Sequence, residues 1–297
     1  MPTTDTIPTT DTIPASEISH LLNTTRYPLT QPGSAEWSRT VSQARAGLRD
    51  VGCCVLADFV APALIPTLRE QGAAIAPAAH YEVETVNAYN IALDSPLPAD
   101  HPGRIRMQRG NAFVPRDQIP RAAVIERLYT NSMFQQFVAN CFELPGVHEL
   151  ADPLAGLVLN VVRPGQSHPW HFDTNEFTVS LLTQQSEDGG DFEYCPDIRA
   201  AGRENFDDVR AVLSGAGEHL IHRLTLRPGD LQLFRGRYSL HRVAPVLGAV
   251  ARHTAILAYT DRPGVVGSVE RTRQLFGRAL PEHRSAAASR RNDKLLD

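Results

Sequence analysis

The chain has 297 residues, 42% of them hydrophobic, so it can bury a sizeable core and is not a disordered polymer. Its 29 Lys and Arg against 33 Asp and Glu give a net charge of −4, without the basic excess of a general nucleic-acid or membrane-surface binder. The four cysteines (Cys53, Cys54, Cys141, Cys195) lack a CxxC spacing and no apolar run approaches bilayer length, so inert reduced thiols, no membrane partner and a cytoplasmic location are expected.

Residues 3–14 read TTDTIPTTDTIP, one hexapeptide written twice, with nothing to form a packed face. A disordered tail is expected over residues 1–30, and no secretory leader. SAEWSRTVSQARAGLRDVG turns helical: Ser34 can cap, Glu36 supports the first turn and Gly52 stops it. CCVLADF (53–59) reads as a short strand and 61–79 as a second helix. Residues 80–120, rich in Pro and Arg, read as a long ordered loop. Residues 122–142 carry the strongest helical spacing.

After about residue 150 the character changes. AGLVLNVV, HFDTNEFTVSLLTQQ, GGDFEYCP, HLIHRLTL, GDLQLFRG, LHRVAPV and RHTAILAYT are short β-rich segments separated by Gly and Pro turns. Seven in a row predict a sandwich or barrel, with a short helix inserted at 199–217.

HPWHFDTNEF (168–177) carries the chemistry. On a strand, residues i and i+2 share a face, so His171 and Asp173 project together. One further histidine would complete a facial triad with open positions, the mark of non-haem Fe(II) oxygenases. His219, His222, His241, His253 and His283 all lie downstream. His241 sits in GDLQLFRGRYSLHRVAP, and Arg252 follows in RHTAIL. A cosubstrate with two carboxylates needs a fixed cation for its far end. The arginine fork suits that need, and Thr254 shares its face as a second donor. Asn160 stands mid-strand among aliphatic residues, where an unbonded amide is costly, so it is expected to meet cosubstrate, substrate or water.

The ordered set HFD, His241 and RHT resembles the Fe(II)/2-oxoglutarate-dependent oxygenases over roughly residues 150–265. DPLAGLVLNVVRPGQSHPWHFDTNEFTVSLL and RPGDLQLFRGRYSLHRVAPV resemble more narrowly the group acting on free amino acids, which holds hydroxylases and lysine-type halogenases. The resemblance implies a mainly β fold with N-terminal helices and a double-stranded β-helix (jelly-roll, cupin-like) core. One domain would then span 31–281, with a helical layer over 31–149, a core over 150–265 and a frayed tail over 282–297. It implies Fe(II) on His171, Asp173 and His241, 2-oxoglutarate on Arg252 and Thr254, with Asn160 nearby, and O2 as oxidant. Halogenating members have Gly or Ala where this chain has Asp173, which opens a position for chloride. With Asp173 present, oxygen transfer is expected.

For the substrate, Arg106 and Arg109 in RIRMQRGNAF could supply a cation for an α-carboxylate, and His168 a donor. Asp152, Asn160 and Glu176 are candidate acceptors for ammonium groups. Each has a plainer reading: solvated basic loop, turn residues, surface acid. The expected reaction is hydroxylation of an unactivated C–H bond of a small free L-amino acid, lysine-like or lysine-derived, in secondary metabolism. Desaturation or ring closure from the same chemistry, a non-oxidative cupin-like metal enzyme and a metal-binding module stand as alternatives. Nothing in the sequence specifies the oligomeric state.

Overall fold

The computed structural model describes residues 17–285 and 293–296. Ser34 caps the helix Ala35–Val51 by accepting from the Trp37 N–H at 3.2 Å, and Gly52 ends it at φ 64°. Val41, Ala44 and Leu48 form its buried stripe. The helix Ile65–Ile75 follows a Pro-led 3-10 turn. The expected single helix over 122–142 is two, Val124–Tyr129 and Ser132–Cys141. Asn131 breaks it, because its side-chain oxygen accepts from the N–H groups of Met133 and Phe134 and starts a new helix.

The β-core consists of two antiparallel sheets. The larger runs in the order Cys53–Leu56, Leu231–Phe234, Thr178–Gln184, Arg252–Leu257, Leu157–Val162, Ala112–Val114. The smaller runs His222–Leu224, Phe192–Cys195, Leu240–Val243, His168–His171. Period-2 alternation divides each strand of the larger sheet between two environments. Leu157, Leu159, Val161, Ala255 and Leu257 face the helical layer in the main apolar cluster. Partners in register share a face, so Arg252 opposite Val162 and Thr254 opposite Asn160 point the other way, between the sheets. Each fully buried Leu or Phe here contributes roughly 1.5–3 kcal/mol.

Three differences from the sequence expectation concern order. The region 80–120 holds a two-stranded ladder, Glu84–Val86 with Met107–Arg109, and the edge strand Ala112–Val114. These strands are only three residues long, too short to show a period. Of the tail expected over 1–30, residues 1–16 lie outside the described residues, while Ile18 and Leu21 are buried on a helical turn. Of the tail expected over 282–297, residues 286–292 and 297 lie outside the described residues, and both His283 and Leu295 are buried. Among the described residues no helix is long and apolar enough to cross a membrane.

Candidate metal centre

His171 ends its strand directly opposite His241 in the smaller sheet. Their rings stand 4.1 Å apart, centroid to centroid. His171 Nδ1 lies 2.8 Å from the Pro169 carbonyl oxygen and His241 Nδ1 2.9 Å from that of Ser239. A carbonyl only accepts, so each Nδ1 carries a proton and each Nε2 is the ring atom left to face a metal. Both Nε2 atoms face Asp173 Oδ1, at 3.7 and 3.5 Å. One donor atom from each of the three residues lies within 4.8 Å of the others.

Asp173 reaches this position by a route the sequence did not predict. The strand stops at His171, so Asp173 stands in the irregular segment beyond it and not at i+2 on the same strand. Its N–H donates to the Gly236 carbonyl at 3.1 Å, and Thr178 Oγ1 donates to Oδ2 at 2.5 Å. Gly236 makes room for it: a Cβ there would stand 1.9 Å from Asp173 Oδ2. Burial opposes the charge on Asp173, but His241, His171 and the Thr178 hydroxyl more than offset it and hold the carboxyl below its ordinary range. Burial, with His241 second, pushes His171 down to about 3, so its ring is neutral. Two imidazoles and one carboxylate, with no fourth protein ligand in the cluster among the described residues, fit a divalent metal that must keep positions open.

Arg252 is buried on the same side as Asn160 and donates to Thr254 Oγ1. Burial lowers its pKa to about 10 despite Asp191. No acid among the described residues forms an ion pair with it, which suits a ligand that brings its own carboxylate. Asn160 Oδ1 accepts from Asn111 Nδ2 at 3.0 Å. His253, the next residue along, lies on the helix side beneath Gly72, buried and away from the metal cluster.

The remaining candidates separate clearly. His168 stacks on His171 with centroids 3.8 Å apart and 18° between planes. Arg109 is 4% exposed, pairs with Glu84 across the ladder and donates to the Gln274 carbonyl. Gly110, its neighbour, donates to the Ser167 carbonyl, which ties Arg109 to the strand carrying His168. Arg106 is exposed and does not join the site. Asp152 is fully buried but already engaged, by the N–H groups of Leu154, Ala155 and Gly267 and by His283 Nε2 at 3.2 Å. Glu176 is exposed. The two acids expected to receive an ammonium are therefore occupied or outside. His219 and His222 are exposed, so neither competes with His241.

Sequence reasoning missed Gly236, Thr178, Glu84 and Arg271. Arg271 lies on the helix Val269–Phe276, beyond the stretch that carried the resemblance. Burial and then Arg109 bring its pKa down to about 10, while Glu84 and Asp173 act in the opposite direction.

One family model, described as HalD, Halogenase D, matches residues 102–272, more than half of the chain. No curated protein matches the sequence. Similar solved structures include AviO1 from Streptomyces viridochromogenes Tue57, at 14% identity and TM-score 0.50 over 78% of this chain and 98% of that one. Another is the epimerase SnoN in complex with Fe3+, alpha ketoglutarate and nogalamycin RO, at 12% identity and TM-score 0.50 over 75% and 84%. A 2OG-Fe(II) oxygenase family oxidoreductase from Burkholderia pseudomallei aligns at 17% identity and TM-score 0.47 over 79% and 94%. At such identities the likeness concerns the fold, a double-stranded β-helix.

Proposed function

The chain belongs to the Halogenase D family, and from that premise we propose that it is an Fe(II)/2-oxoglutarate-dependent oxygenase that hydroxylates a C–H bond of a small free amino acid. The observation that carries this reading is the His171–Asp173–His241 cluster with its carboxylate present. Family members that halogenate are expected to have Gly or Ala at that place, leaving a position for chloride. Here Asp173 fills it, held by Thr178 and admitted by Gly236.

His171, Asp173 and His241 would hold the iron, their Nε2 and carboxylate atoms oriented in advance by the Pro169, Ser239 and Thr178 hydrogen bonds. Arg252 with Thr254 would take the far carboxylate of 2-oxoglutarate, and Asn160 lines the same face. With the metal bound, 2-oxoglutarate and dioxygen are converted to succinate and CO2 while one oxygen atom enters the substrate C–H bond as hydroxyl. Arg109 and His168, both held beside the ring of His171, would receive a substrate carboxylate. Burial drives the His168 ring well below its ordinary pKa, so it meets a substrate as a neutral imidazole.

The test is a screen of free amino acids with Fe(II), 2-oxoglutarate and oxygen, reading succinate and product mass. A product heavier by one oxygen atom, formed with one succinate per turnover, is expected. Metal binding without any amino-acid-dependent succinate would sink the reading in favour of a non-oxidative metal enzyme.

A further inference from the structure

Arg109 and Arg271 converge on one residue of the helix Val269–Phe276. Arg109 donates to the backbone carbonyl of Gln274, and Arg271 donates to the side-chain oxygen of the same residue. Arg109 is 4% exposed, yet its Nε and one terminal nitrogen have no partner among the described residues. A buried guanidinium with two unmet donors is expensive unless a ligand meets them. Glu84 is the acid that pairs with Arg109. Glu82 is exposed and bonded to His80.

The charges can be counted by halves. In the metal half, a divalent ion, Asp173, Arg252 and a doubly charged cosubstrate sum to zero. In the other half, two arginines face one glutamate, which leaves one positive charge uncompensated. Burial first, and the Arg109 guanidinium second, lower the pKa of Arg271 to about 10, so the two cations stand close enough to interact. A lysine-like substrate would bring a second ammonium to a place where Asp152 is engaged and Glu176 is exposed.

We propose that the substrate is an amino acid with an acidic side chain, net negative as it binds, with one carboxylate held between Arg109 and Arg271. This rests on the free-amino-acid reading above and narrows it. Glu84 has one oxygen not engaged by Arg109 and can accept the α-ammonium. Arg271 then determines specificity: it favours a carboxylate over the isosteric amide.

The experiment is calorimetric binding of the standard L-amino acids to the Fe(II)- and 2-oxoglutarate-loaded protein without oxygen. L-Aspartate or L-glutamate should bind about tenfold or more tightly than L-asparagine or L-glutamine, the scale of one charge-assisted hydrogen bond. Arg271→Gln should erase that preference and Arg271→Lys retain part of it, both with unchanged 2-oxoglutarate affinity, which also reports an intact fold. Tighter binding of lysine or of the amides, or a preference that survives Arg271→Gln, overturns the proposal and leaves the amino-acid oxygenase reading standing. Binding of no amino acid at all overturns both.

Discussion

Gly236→Ala changes one methyl group and should disable the metal centre. The new Cβ would lie 1.9 Å from Asp173 Oδ2, 2.7 Å from its Cγ and 3.0 Å from its Cβ, whereas ordinary contact begins near 3.4 Å. The backbone cannot open to admit it. Asp173 N–H is bonded to the Gly236 carbonyl at 3.1 Å, and Arg235 N–H, one residue earlier, to the Gly52 carbonyl at 2.9 Å. The carboxylate must therefore turn away and give up the Thr178 hydroxyl at 2.5 Å. Metal ligands tolerate displacements of about 0.2 Å, and disturbing the groups that orient them typically weakens metal affinity about 10- to 100-fold. The upper end, about 2.8 kcal/mol, is expected here because the ligand itself is displaced. Competition of the protein with a chelator for Fe(II) under anaerobic conditions measures it, with thermal unfolding of the metal-free protein as the check on the fold. In an Asp173→Gly background the same methyl meets no carboxylate, so Gly236→Ala should then cost nothing further in metal affinity, a non-additivity diagnostic of direct contact. A Gly236→Ala protein with wild-type iron affinity would refute the reasoning.

Three more outcomes follow from the same geometry. Arg252→Lys keeps the charge but loses the fork, and 2-oxoglutarate affinity measured by titration should fall by about 1–3 kcal/mol; an unchanged affinity removes Arg252 from that role. His253 has its pKa lowered by burial from 6.5 to about 4. The unfolded chain therefore binds the extra proton first, and stability present above pH 6.5 should decline as pH falls, by up to about 1.4 kcal/mol per pH unit down to pH 4. Urea midpoints across that range should fall less steeply for His253→Gln than for wild type, and parallel slopes would contradict the assignment. Wild-type protein turned over in high chloride should give no chlorinated product by mass spectrometry if Asp173 binds the metal as proposed above; a chlorinated product would overturn that role.

The residues of the His171, Asp173, His241 cluster and the buried Arg252 were legible in the sequence because they sit on or beside core strands, where period 2 fixes direction and turn residues fix the ends. Even so, Asp173 reaches the cluster from the irregular segment after the strand and not from the strand face that alternation suggested. The N-terminal helix was legible for a similar local reason, its cap Ser34 and its stop Gly52. The other wall of the site was not. Glu84 and Arg109 lie on three-residue strands with no measurable period, and Arg271 on a helix after the last core strand. Asp152 misled because a carboxylate near a predicted mouth looks the same in sequence whether it awaits a ligand or binds three backbone N–H groups. Gly236 carried no signal beyond being a glycine in a loop; only the position of Asp173 gives it meaning.

Asp152 has a consequence for how such a chain can diversify. Its carboxylate receives Gly267 N–H at 2.9 Å and His283 Nε2 at 3.2 Å, so the segment from 267 to 283 leaves and returns to a single residue. Between these two anchors the segment is also held from outside: Arg109 donates to the Gln274 carbonyl, Phe276 packs on Phe113 and Arg278 pairs with Asp117. The His171, Asp173, His241 cluster and Arg252 all lie upstream of it. On the reading proposed above, changes within 268–282 that spare these contacts would alter the substrate side of the site and leave the cluster and Arg252 in place.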